Sequence, residues 1–331
     1  MIDNPNINTT SSPGQIESGS NISQVHPILI TGAHRTGTTW VGKMLTASGQ
    51  AAYISEPLNV LHRPGVMLKP VRYWYTYICS ENEGEYFSSL SDTLRFRYYT
   101  WEEIKSLRSP KGLLRMGRDW SSFLSSRLLE KRPLLKDPFA VFSAPWFSNK
   151  LSCAVVITIR HPAAFVSSLK RLNWPFNFTE LLSQPLLMRD WLESFRSDME
   201  KLRNKPDEII NTSSMLWRVI YSVVKEFQEQ HPEIRIVRHE DLSANPLLGF
   251  QKLYDDLDLE FSARVRHAIT DSSNTDNPKE LRRTKKHSVN LDSRSNIANW
   301  KHRLDSNEIS QIRDLTEDLY TSFYPDIAWD L

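Results

Sequence analysis

The chain has 331 residues, of which 40% are hydrophobic, 24% charged and 11% aromatic. That apolar fraction can build a core and excludes wholesale disorder. A net charge of +2, from 41 basic and 39 acidic residues, argues against a protein built mainly for nucleic acid.

Residues 1–24 are rich in Asn, Ser, Thr and Gly, lack the basic and apolar regions of a secretion signal, and are expected to form a disordered polar tail. Residues 25–31 read as a short apolar strand. Gly32 to Gly37 form a glycine loop, and Trp40, Val41, Met44 and Leu45 follow at helical spacing. Residues 51–55 read as a second strand ending at Glu56-Pro57. An aromatic-rich stretch runs from Tyr73 to Trp101 and suggests an insertion at about 70–105. Helical patterning returns at 120–129, and 132–138 reads as a strand stopped by proline. Residues 154–159 are a continuous β-branched run, as in a strand covered on both faces. His161-Pro162 opens a helix. Helical segments fill 186–230, 234–240 is another strand, and a further helix begins at about Asp241. Strands alternating with helices imply α/β architecture: three layers, with a central parallel sheet between helices. No long Pro/Gly/Ser linker divides residues 25–331, so one domain is expected. Cys79 and Cys153 are too few for a disulfide framework and suggest a reducing, cytoplasmic setting. No apolar run has the ~18 residues of a membrane span. The oligomeric state is not legible.

Glycine is scarce, with eleven in the chain, yet four of them (Gly32, Gly37, Gly42, Gly49) fall within eighteen residues. Gly32-Ala33-His34-Arg35-Thr36-Gly37-Thr38-Thr39 has the G-x-x-x-x-G-x-[ST] spacing of a phosphate loop. Backbone N–H groups and the positive end of the next helix can hold an anion there. The bland reading is a glycine turn between strand and helix. A nucleoside-triphosphatase loop places Lys after its second Gly, whereas this chain has Thr38 there and Arg35 earlier. The best buried strand ends in Arg160, not in a metal-binding Asp. The loop thus suits a 5′-phosphate with a singly charged transferring group, without metal, better than a γ-phosphate with Mg²⁺.

These residues resemble the sulfotransferase family that uses 3′-phosphoadenosine 5′-phosphosulfate (PAPS), with its P-loop-like fold. HRTGTTW (34–40) is similar to the family's 5′-phosphosulfate loop. VVITIRHPAAFVSSLKRL (155–172) is similar to its 3′-phosphate segment, with Arg160 and Ser168 at the family spacing of eight. VRHEDLSANP (237–246) resembles a third segment, and RSNIANWKHRL (294–304) a basic-and-Trp closing segment. The resemblance implies that Arg35, Thr36, Gly37, Thr38 and Thr39 hold the 5′-phosphosulfate, that Arg35 stabilises the leaving group, and that Arg160, Ser168 and Arg294 meet the 3′-phosphate. Trp40 stacks on adenine under this resemblance; as a helical residue it fits the core equally well.

An acceptor hydroxyl needs a base within hydrogen-bond reach. If the strand at 51–55 pairs beside the first, Glu56 emerges at the loop edge. Glu56-Pro57-Leu58 also resembles the Glu-Pro-Leu of carbohydrate sulfotransferases, where Glu is the base. In LLKDP (134–138) the cytosolic Lys-Thr-His pattern has Pro138 in place of His. Lys136 is left as a contact for the sulfuryl oxygens, and Asp137 as a reserve base or a helix cap. The expected acceptor is a small molecule or glycan; a small-molecule kinase and a non-catalytic nucleotide binder are the alternatives.

Overall fold

The computed structural model describes residues 26–61, 63–205, 207–280, 290–326 and 329. The expected tail lies outside them.

Five short strands form one parallel sheet: β1 (Ile28–Gly32), β2 (Ala51–Ser55), β3 (Arg132–Lys136), β4 (Ala154–Ile159) and β5 (Arg235–Arg238). Their order is β2-β3-β1-β4-β5. Ile28 stands opposite Leu134 on one side and Ala154 on the other. Because side chains alternate across a strand, each strand feeds two cores. Leu29, Leu135, Val155 and Ile157 face one core, and Ile28, Ile30, Leu134 and Val156 face the other. Both faces are therefore apolar, and helices cover both.

The helices that frame the site are α1 (Thr38–Leu45), α2 (Pro110–Leu128), α3 (Pro162–Leu172), α4 (Ile209–Gln230), α5 (His239–Ala244), α6 (Pro246–Asp256), α7 (Ser293–Ala298) and α8 (Ser306–Phe323). Their starts follow local chemistry. Pro110 and Pro162 occupy first turns, where a missing N–H costs nothing. Ser109 caps α2, the His161 ring caps α3, and Asp305 with Glu308 forms a capping box on α8.

Several boundaries differ from expectation. The helix read at 120–129 starts at Pro110, because Ser109 and Pro110 supply its cap and first turn. The stretch 186–230 is broken into short turns before α4. The last strand stops at Arg238, and α5 begins at His239. Gly49 lies past the end of α1, which stops at Leu45, and turns the chain into β2 with φ +85°. β2 does not pair with β1, because β3 lies between them.

The chain leaves β1 by α1 to one side of the sheet and later returns as β4 on the other side. The carboxyl end of β1 is therefore a switch point, where sheets of this kind leave a crevice. The glycine loop fills that point.

Candidate active site

The loop is held by its own backbone and by the strand behind it. Gly37 has φ +97°, and a Cβ there would lie 2.6 Å from Nδ1 of His239, so only glycine fits. Arg35 also holds a positive φ, of 72°. The Thr36 hydroxyl turns inward, donating to the Ala33 carbonyl at 2.6 Å and meeting Thr158 Oγ1 at 2.8 Å. Its side chain braces the loop on β4. Thr38 and Thr39 open α1 and line two cavities that meet there.

The first cavity, of about 120 Å³, lies over the loop and is walled by Arg35, Trp40, Arg160, Ser168, Arg171, His239 and Arg303. Arg160 is 6% exposed. It donates to the Arg35 carbonyl at 3.2 Å and to Asn296 Oδ1 at 3.1 Å, while its Nε–H has no partner among the described residues. Arg35 Nε donates to Ser168 Oγ at 3.2 Å. Burial, then the fields of Arg160, Arg171 and Arg303, push the Arg35 guanidinium down to about 10. Burial does the same to Arg160, although Glu240 opposes it. Glu240 is itself committed, accepting from the His161 N–H at 3.0 Å and from the Tyr324 hydroxyl at 2.8 Å. Arg303 pairs with Glu280 at 2.8 Å. Four guanidinium groups thus share one cavity with a carboxylate deficit. Such clusters are unfavourable until an anion joins them.

Trp40 packs in the core and also borders the first cavity. Its ring meets Phe250 edge-on at 5.0 Å, its Nε1–H donates to Ser272 at 2.9 Å, and its remaining surface walls the cavity. Arg294 is exposed and does not line the cavity; its neighbours Ser293 and Asn296 do. Arg171, His239, Asn296 and Arg303 escaped sequence reasoning. Arg171 follows Ser168 by three residues on α3, which puts both on one helix face. That spacing was the available signal.

The second cavity, of about 600 Å³, opens on the other side of Arg35, Thr38 and Thr39. Its volume is that of a small-molecule pocket. Trp74, Tyr75, Phe139, Trp174 and Phe176 give it aromatic walls; Glu56 and Asn59 are polar points among them. The Arg35 guanidinium lies 6.0 Å from the Trp174 ring centre, so this side chain stands between the cavities.

Glu56 follows β2 directly, with φ +48° and its N–H bonded to the Lys136 carbonyl at 2.9 Å. One carboxylate oxygen pairs with Lys136 Nζ and the other accepts from Asn59 Nδ2 at 2.7 Å. The Lys136 side chain is 3% exposed and reaches Glu56 rather than either cavity. Asp137 is buried outside both cavities. It accepts from the Leu58 N–H at 2.6 Å and the Phe139 N–H at 3.0 Å, which makes it the cap of the turn Pro138–Ser143. Burial, helped by Glu56, pushes it up to about 7. His34, another residue the sequence reading passed over, lines the second cavity with Nδ1 on the Tyr75 hydroxyl at 2.6 Å. Burial, then Arg35, pushes its ring down to about 4, so it is neutral at neutral pH. Among the described residues, no three His, Cys, Asp or Glu side chains are grouped to hold a metal ion.

Residues 27–263 match a family model described as "Sulfotransferase family". Among curated proteins there is no match. The sulfotransferase domain from the curacin biosynthetic pathway is 15% identical, with 89% of this chain and 97% of that chain covered and a TM-score of 0.45. The sulfotransferase domain of the Synechococcus PCC 7002 olefin synthase is 13% identical, with 92% and 98% covered and a TM-score of 0.47. Mouse sulfotransferase SULT7A1, solved with PAP, is 10% identical, with 90% and 84% covered and a TM-score of 0.44.

Proposed function

Since the chain belongs to the sulfotransferase family, we propose that it moves a sulfuryl group from PAPS to an acceptor hydroxyl, with the donor in the arginine-lined cavity and the acceptor in the aromatic one. The carrying observation is that two cavities of opposite chemistry meet at Arg35, Thr38 and Thr39.

The donor carries anionic groups at both its 3′ and 5′ ends, and the first cavity offers cations for both. The unpartnered Nε–H of Arg160, beside Ser168, suits the 3′-phosphate. The loop backbone and the hydroxyls of Thr38 and Thr39 suit the 5′ end. Trp40 and His239 supply ring surface for the adenine. Arg294 and the Thr36 side chain are not part of this assignment.

The acceptor oxygen gives its proton to Glu56 as it takes the sulfuryl group. The bond between sulfur and the bridging oxygen breaks, and the electron pair leaves with the 5′-phosphate. Arg35 stands where that charge grows, and a fixed cation there lowers the barrier. Glu56 is assigned as base because it alone of the two candidates lines the acceptor cavity. Lys136 orients it, and Asp137 caps the turn beneath. Aromatic walls with Glu56 and Asn59 between them suit a sugar, whose ring has an apolar face and a polar edge, so a carbohydrate or glycoconjugate hydroxyl is the acceptor we assign.

A thermal-shift titration tests the donor. Stabilisation by 3′-phosphoadenosine 5′-phosphate (PAP) but not by Mg·ATP is expected, and the reverse pattern would favour a kinase. A screen of acceptors with labelled PAPS then tests transfer; binding without transfer to any acceptor would favour a non-catalytic nucleotide binder.

A further inference from the structure

We propose that the outer face of α2, with the helix Thr100–Ser106 beside it, docks on an anionic lipid surface. Helix α2 buries one stripe, through Phe123 and Ser126, against Phe96 and Tyr98. Among the described residues, a second stripe has no partner. Leu113, Trp120, Leu124 and Leu128 succeed one another at helical spacing, and all are exposed. Leu114 borders it at 77% exposure, and Trp101 on the neighbouring helix is 74% exposed. Large apolar side chains gathered on one face mark an interaction site rather than scatter.

Charge selects the occupant. Residues 95–131 contain nine basic and four acidic residues, although the whole chain is only +2, so the rest of the chain is acidic. Arg108, Lys111 and Arg127 are exposed within this stretch. A symmetric contact between two copies would place this basic face on itself. An anionic lipid surface offers both what the cations need and an apolar layer for Trp and Leu. The docking is peripheral, since no helix among the described residues is long and apolar enough to cross a membrane.

The face also adjoins the acceptor cavity. Leu61 lines that cavity and is 77% exposed. Its loop is tied to α2 by the Arg63–Asp119 ion pair at 2.5 Å. If the cavity is the acceptor site proposed above, docking brings its mouth to lipid-linked hydroxyls. The docking itself does not depend on that reading.

Co-sedimentation of the full chain with phosphatidylcholine vesicles, and with vesicles of equal parts phosphatidylcholine and phosphatidylglycerol, tests the proposal without any turnover. Binding to the second set only, weakened by added salt, is expected. The combined Arg108→Glu and Lys111→Glu variant should weaken it by about fivefold or more, at an unchanged melting temperature. The combined Leu113→Ser, Trp120→Ser and Leu124→Ser variant should abolish it. Equal binding to both vesicle types, no binding, or no effect of the charge reversals would overturn the proposal. So would light scattering that shows a dimer which the Leu/Trp variant turns into a monomer.

Discussion

Arg35 faces two cavities, and its backbone and its side chain have different tasks. Its positive φ helps shape the loop, while its guanidinium stands between the proposed donor and acceptor sites. Arg160 is placed differently, deep in the first cavity, with one N–H unpartnered among the described residues. Arg160→Ala should therefore weaken PAP binding by about 1.5–3 kcal/mol, the cost of a lost charge-assisted hydrogen bond; calorimetry that finds unchanged affinity would remove its assigned role. Arg35→Ala should lower turnover more than donor binding, because its interaction grows in the transition state. Glu56→Gln should lower kcat by about 10²–10⁴-fold with PAP affinity retained. Full turnover in that variant would return the base to Asp137 or to another group. Arg160 and Ser168 were legible because both lie on one strand–helix unit at a fixed spacing. Arg303 was not: the sequence marks the closing segment 294–304, but with Arg294 as its contact, and only the fold decides which of its basic residues turns to the cavity.

The strand–loop–helix unit β1–α1 is the element on which the site depends. The loop can approach an anion closely because Gly37 lacks a side chain and has His239 against it. Gly37→Ala would force an L-residue into the left-handed region and drive its Cβ onto the His239 ring. The strain alone costs about 1–2 kcal/mol, and relief would move the loop backbone away from the donor. PAP binding should fall at least as far as in Arg160→Ala, measured by the same titration. The unit itself was legible, since a glycine loop between an apolar run and an amphipathic helix is a local pattern. The position of Glu56 was legible only in part. The expectation required β2 beside β1, yet β3 intervenes, and Glu56 still reaches the loop because every strand of a parallel sheet ends at the same edge. Parallel neighbours are set by crossovers far apart in sequence, so strand order is not written in local periodicity. The Asp137 cap shows the opposite case: Asp before Pro138 is a local signal, and the turn it caps is there.

At the scale of the whole molecule, buried cations and buried neutral rings share one interior. His34 and His161 are pushed down to about 4 and about 3, first by burial and then by Arg35 and Arg160 respectively. The unfolded chain binds these protons more readily than the fold does. Stability from both rings is therefore complete above about 6.5 and is lost as the pH falls toward the folded values, at about 1.4 kcal/mol per unit of separation. The melting temperature should drop between pH 7 and pH 5, and His161→Gln should blunt the drop relative to its own pH 7 value. Asp137, pushed up to about 7, gains stability over the same interval and opposes the drop. Identical profiles for wild type and His161→Gln would therefore contradict the burial of the His161 ring. The same interior makes the proposed donor cavity cationic, because Arg35, Arg160, Arg171 and Arg303 wall it with Glu280 as their carboxylate neighbour. Composition concealed this. A net charge of +2 spread over 331 residues does not show four arginines converging on one point.

The arginine cluster is proposed to hold a nucleotide with charge at both its 3′ and 5′ ends. The most direct measurement is a calorimetric comparison of PAP with adenosine 5′-phosphate, which lacks only the 3′-phosphate. Binding of PAP at least about tenfold tighter is predicted, the least that a charge-assisted bond of Arg160 supplies, and Arg160→Ala should erase most of the difference. Equal affinity of the wild type for the two nucleotides would contradict the account.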